Sequence, residues 1–308
     1  MLAVVRGEEP DRVPFVQYDS LAAPNEEVWE ALGRDELGLL RWCTAYRFEH
    51  PDCRFVTEPI HKNGIAGERV VLETPVGNLA QEQWFNPILG SAHIDRHFVD
   101  EVKDYRILLE YLKNVTVVEC TTSIEETERD FGEDGLPLVA VLRTPFQQLW
   151  IQWVPLEKLC LHLADQEELL HEVVSRLADL QRRVYEVTLN APRRIEIPFV
   201  DIPDNITAPV IGGAYFRTYC MPLYRELVDI MAERSIPVWV HMDGDLKPLW
   251  PDIAETGIRG IDSFSPPPDN DNPVAEAIRV LSETRLYINF PSSVHVAPPG
   301  TVRRAAAD

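Results

Sequence analysis

Short apolar runs alternate with amphipathic stretches along most of this chain, and several of the runs stop at acidic or imidazole side chains. Val13 to Tyr18 predicts a first strand, and Asn25 caps a short helix whose Val28 and Leu32 precede a stopping Gly33. Further buried strands are predicted over Pro137 to Leu142, Arg194 to Val200, Pro237 to His241, Ile258 to Ile261 and Leu286 to Phe290. Between them, Asp165 and Glu168 form a capping box for a long helix. Its Leu169, Val173, Leu177, Leu180, Val184 and Val187 recur at spacings of three and four. A second helix from about Phe216 to Glu233 carries Leu223, Leu227 and Met231. Strands separated by helices of this length predict a parallel sheet, and five or more such units favour a closed (β/α)8 TIM barrel over an open sheet.

The rhythm changes between residues 54 and 85. There, short β runs are broken by Asn63-Gly64 and by Pro75-Val76-Gly77-Asn78, both turn signals. This predicts a small β meander inserted near the N-terminus of one domain spanning residues 1 to 308. The 25 prolines fall mostly at strand starts and loop ends, where a missing amide donor costs little.

Composition narrows the partners. With 50 Asp and Glu against 29 Lys and Arg, the formal charge of −21 repels polyanions, which argues against nucleic acid and anionic membrane surfaces. Five scattered cysteines without a CxxC pair suit thiols in a reducing cytoplasm. No signal peptide or membrane-spanning run is visible, and a cytoplasmic location is expected.

The polar strand ends supply the candidate chemistry. In PVWVHMDGD the run Val238 to Val240 stops at His241, Asp243 and Asp245, and the next strand stops at Asp262. Neighbouring parallel strands direct their C-terminal ends into one crevice, so His241, Asp243 and Asp262 are the first candidates for a site. Asp201, Asp204 and Asn205 follow another strand expected to point the same way, as substrate contacts or as a surface loop of Asx turns. Gln17 and Tyr18 end the first strand and would line the mouth. Asp245 is read as a turn residue, since Asp-Gly-Asp is a natural loop sequence. His93 and His97 have the spacing of one helical face, but without an HExxH glutamate a solvated helix start is the stronger reading. Phe146, Trp150 and Trp153 read as core and pocket wall.

The run DIPDNITAPVIGGAYFRTYCMPLYRELVDIMAERSIPVWVHMDGDLKPLWPDIAETGIRGIDSF resembles the uroporphyrinogen decarboxylase superfamily, and RGEEPDRVPF resembles its opening. The resemblance implies a single (β/α)8 barrel and two activities. One is decarboxylation; the other is zinc-dependent methyl transfer among corrinoid proteins, thiols and methylated substrates. Decarboxylases of the family carry Arg-Gln-Ala-Gly-Arg after the first strand, where this chain has FVQYDSLAAP without an arginine. That departure counts against a tetrapyrrole bearing many carboxylates.

The methyltransferase branch has His-x-Cys after one strand and an acidic residue after the next. Here His241-Met242-Asp243 and Asp262 stand at those places, so the resemblance implies zinc held by His241, Asp243 and Asp262, with aspartate replacing the soft thiolate. It also implies a further helix and strand beyond the region ending at Asp308. The leading expectation is therefore metal-assisted methyl transfer between a methylated small molecule or corrinoid protein and an acceptor. The alternative is a cofactor-free decarboxylase of uroporphyrinogen or a related acid, which requires a carboxylate-binding arginine such as Arg143 or Arg217 in the pocket and no metal. A barrel that binds a ligand without turnover is a third reading, and a homodimer is left open.

Overall fold

Six of the expected strand regions, together with Gly38–Cys43, which the sequence reading missed, become parallel strands in the computed structural model, which describes all residues except 22, 87–90, 296 and 308. They are β1 (Val16–Tyr18), β2 (Gly38–Cys43), β3 (Gly135–Ala140), β4 (Val200–Ile202), β5 (Val238–His241), β6 (Gly260–Phe264) and β7 (Arg285–Ile288). Each pairs with its predecessor in chain order, so the sheet winds one way, as in barrel folds, with no reversal of strand order. Among the described residues no backbone ladder joins β7 back to β1. Side chains bridge these strands instead, the Tyr287 hydroxyl donating to the Val16 carbonyl at 3.0 Å. A curled parallel sheet of seven strands is therefore what stands of the expected eight-stranded barrel.

The chain divides into two compact units: 1–46, 119–143 and 184–308 in the first, and 47–118 with 144–183 in the second. The first holds all seven parallel strands. Because side chains alternate along a strand, β2, β4 and β5 send Leu40, Asp201, Trp239 and His241 to the concave face and Leu39, Val200 and Val240 to the other. Val5, Leu40, Leu138, Phe199 and Trp239 form one buried cluster on the concave side, with Val16, Tyr18, Leu136 and Tyr287 against it. Leu37, Leu39 and Phe131 pack on the outer side with Val28 and Trp29. Gly260 lies opposite Trp239, and a Cβ there would stand 2.0 Å from the indole ring, so only glycine leaves room for it.

The second unit contains an antiparallel sheet of Arg54–Lys62, Ile65–Thr74, Gly77–Asn86 and Ser91–Arg96. Asn63 and Gly64 make its first turn with positive φ at both residues, as a tight hairpin requires. Phe146 and Trp153 are buried in this unit. The Trp153 ring lies 5.3 Å from Phe98 and 5.7 Å from Tyr111, and Trp150 donates to Gln147 Oε1 at 2.5 Å.

Several local expectations are corrected. His93 lies in the strand Ser91–Arg96 and His97 just beyond it, so neither begins a helix. Asp165 is the last residue of helix Leu156–Asp165, and the long helix Glu167–Leu189 starts after Gln166. Asn25 is the first residue of its helix rather than the cap. Its side chain instead bonds Gln17, Asp19 and the Ser20 amide. The first strand begins only at Val16, because Pro14 withholds an amide and leaves Val13 and Phe15 exposed. The strand expected over Arg194 to Val200 begins only at Val200 and runs on to Ile202, since Pro198 withholds an amide just before it. No helix among the described residues is long and apolar enough to cross a membrane.

Candidate active site

The site is built on the C-terminal ends of β4, β5 and β6. Trp239 and His241 share the concave face of β5, and the register sets His241 beside Asp262 on β6. β6 continues through Phe264, so Asp262 is held inside a strand rather than at its end, and it is 1% exposed. The Tyr18 hydroxyl, arriving from β1, donates to Asp262 Oδ1. Burial and the charge of Asp262 keep that phenol strongly protonated.

His241 stands between two carboxylates. Nδ1 lies 3.7 Å from Asp262 Oδ2, and Nε2 lies 3.8 Å from Asp243 Oδ2. Burial alone would lower the affinity of the ring for a proton, but Asp243, Asp262 and Asp201 together outweigh it and push its pKa up to about 10. His241 is thus an imidazolium in neutral solution. Asp243, which faces that cation, is held below the usual carboxylate range although burial opposes the shift. Trp42 on β2 meets the imidazole edge-on at 6.3 Å and stacks on Tyr18 at 6.0 Å.

Asp201 is fully buried, and neither of its carboxyl oxygens has a hydrogen-bond partner. Burial, reinforced by Asp262, moves it well above the ordinary carboxylate range and favours its neutral form. His241 Nδ1, Asp262 Oδ2 and the Trp239 indole nitrogen are also buried without a partner. Such atoms cost about 1–3 kcal/mol each when left unsatisfied. They lie on adjacent strands of the sheet, β4, β5 and β6.

Asp204 is fully buried as well and accepts the Tyr224 hydroxyl at 2.6 Å. Asn205 has φ of 55°, donates its amide to the His241 carbonyl at 2.9 Å, and accepts Arg143 Nη1 on its side-chain oxygen at 3.3 Å. Arg143 is half-buried after β3; burial lowers its pKa, and Asp204, Asp243 and Asp201 oppose that.

The structure therefore gathers His241, Asp243, Asp262, Asp201 and Tyr18, with Asp204 and Asn205 beside them. Gln17 is not among them. It lies on the opposite face of β1, donating to Asn25 Oδ1 at 2.7 Å, because neighbours along a strand point to opposite sides. Asp245 holds a loop by accepting the Asp271 amide at 2.9 Å. Arg217 is exposed and paired with Asp252 at 2.8 Å, away from the cluster. Trp42 and Tyr224 escaped the sequence reading. Only the inward alternation of Leu40 and Trp42 could have pointed to the former.

Zinc, implied by the resemblance, can be tested against these donors. The two ring nitrogens of His241 project to different sides, one toward Asp262 and the other toward Asp243. An ion bound by either nitrogen would leave the second carboxylate across the ring. Among the described residues no three His, Cys, Asp or Glu side chains gather around a common point. The donor set does not fit a three-ligand zinc centre.

The uroporphyrinogen decarboxylase (URO-D) family matches residues 81–308. The chain belongs to that family. Among solved structures, a methyltransferase from Methanosarcina mazei is similar at 12% identity and a TM-score of 0.49, over 92% of this chain and 80% of that one. So distant a likeness says nothing of reaction or substrate. No curated protein matches the chain. The family match covers β3 to β7, and with them every site residue except Tyr18 and Trp42.

Proposed function

We propose that this member of the URO-D family is a metal-independent acid–base enzyme that decarboxylates a small carboxylic acid. The observation that carries the reading is the half-buried His241, whose proton affinity its carboxylate neighbours raise, with Arg143 close by, donating to Asn205, which is itself bonded to the His241 carbonyl. Arginine presents a planar fork suited to carboxylates. In the reaction, the bond between the substrate carbon and its carboxylate breaks and carbon dioxide leaves. The electron pair stays on carbon, and His241 Nε2, the ring nitrogen on the side of the partly exposed Asp243, delivers a proton to it. Nδ1 is enclosed on the side of buried Asp262 and serves to orient the ring. Asp262, fixed by Tyr18, holds the ring, and Asp243, 45% exposed, connects Nε2 with solvent for reprotonation. The absence of the arginine motif after β1 directs the reading to an acid smaller than uroporphyrinogen.

Methyl transfer to or from a methylated small molecule or a corrinoid protein is the second reading, favoured by the partly exposed Nε2 and Asp243 pair, which offers two hard donors at the open side. The test is carbon dioxide release from mono- and dicarboxylic acids and from uroporphyrinogen, run beside a zinc-supplemented methyl-transfer assay. Release that disappears in Arg143→Gln and His241→Asn supports decarboxylation. Zinc-dependent methyl transfer without any release would reject it.

A further inference from the structure

The opposite ends of the same strands carry an arginine-rich groove that the proposed chemistry does not use. Two cavities of about 790 and 680 Å³ open there and share Arg6, Ser235, Ile236 and Pro237, so they are lobes of one groove. Six arginines line it: Arg6, Arg259 and Arg285 in the first lobe, and Arg6, Arg193, Arg194 and Arg234 in the second. Only Glu283 and Glu196 oppose them among the lining residues. In a chain with 50 acidic and 29 basic residues, such a surplus of cations runs against the overall charge.

Two of the six charges are paired with neighbouring carboxylates, and the other four have no such ion pair among the described residues. Arg6 pairs with Glu196 at 2.6 Å and Arg194 with Glu125 at 2.9 Å. Arg234, however, donates to the carbonyls of Leu189 and Ala191 at 2.8 and 2.9 Å, and Arg285 to the Gly7 carbonyl at 3.0 Å. Those bonds fix the side chains and leave their charge in place. Arg193 and Arg259 are exposed, and Arg193 is near enough to Arg234 to lower its proton affinity, after the larger effect of burial. Like charges fixed side by side are favourable only when an anion comes between them.

We propose that this groove binds a small multivalent anion whose phosphoryl or carboxylate groups span both lobes. Arginines in each lobe require at least two anionic groups, and guanidinium forks accept either chemistry. The inference is independent of the reaction assigned to His241.

Calorimetric titration of the full chain with pyrophosphate and, separately, with citrate tests it, with Arg193→Ala/Arg259→Ala as the comparison. Both residues are exposed, so the variant folds, which circular dichroism verifies. Saturable binding of pyrophosphate alone identifies phosphoryl groups, and of citrate alone carboxylates; either or both support the site. Affinity is expected to fall about tenfold for each arginine removed and to weaken steeply with salt. Absence of saturable binding for both probes at low salt, or equal binding by the variant, overturns the proposal. So does a dimer of the wild-type chain that the double substitution dissociates, since the groove would then be covered by a second copy.

Discussion

Replacing His241 with Asn removes the cation from the centre of the site, and the consequence can be worked from its surroundings. The ordinary imidazole releases its proton near pH 6.5, whereas the folded environment holds it to about 10. Below pH 6.5 both folded and unfolded chains carry the proton, and the stabilisation from Asp243 and Asp262 is present. Between pH 6.5 and about 10 only the folded chain carries it, so stability falls by about 1.4 kcal/mol per pH unit. Across pH 7 to 9 the loss from this group is about 2–3 kcal/mol. Urea denaturation at fixed ionic strength, run on wild type and His241→Asn across that range, measures the difference. The wild-type advantage should shrink by that amount as pH rises. An unchanged difference from pH 7 to 9 would mean that the folded ring is neutral, and the proton-donor role would fail with it.

Other substitutions probe the supports of that ring. Tyr18→Phe removes the hydroxyl that Asp262 accepts and should cost about 1–3 kcal/mol in the same denaturation assay; an effect near zero would show that the bond is not formed. Asp201→Asn should stabilise the protein, by a margin that widens as pH rises. Folding raises the proton affinity of Asp201, so the wild type loses stability above the ordinary carboxylate pKa while Asn does not titrate. A margin independent of pH would contradict this. Gly260→Ala drives a methyl into the Trp239 ring and should destabilise by about 1–3 kcal/mol or more with altered near-ultraviolet dichroism; a neutral substitution would refute the packing.

The alternation in PVWVH was enough to set Trp239 and His241 on one face, and the acidic ends of β4 and β6 announced a shared crevice. Family likeness then placed Asp262 beside them. The sequence did not disclose that Asp262 lies within a strand, because Ser263 and the prolines beyond it read as a loop. Nor could local pattern show that Tyr18 reaches a carboxylate 244 positions away, or that adjacent Gln17 faces the other side. The fate of Arg143 and Arg217 was equally hidden. Both are arginines near strand or helix ends, and only the tertiary arrangement sends one to Asn205 and the other to a surface ion pair. Convergence of ligands is the hardest property to infer from spacing. Three residues can neighbour one another, as His241, Asp243 and Asp262 do, without surrounding a point.

That distinction is open to direct observation in a zinc-soaked crystal, by anomalous scattering at the zinc edge. The account predicts no zinc peak coordinated jointly by His241, Asp243 and Asp262, since the two carboxylates face different ring nitrogens. A single peak at about 2.0–2.2 Å from one His241 nitrogen and from an oxygen of each carboxylate would contradict it and restore a metal to the centre of the chemistry.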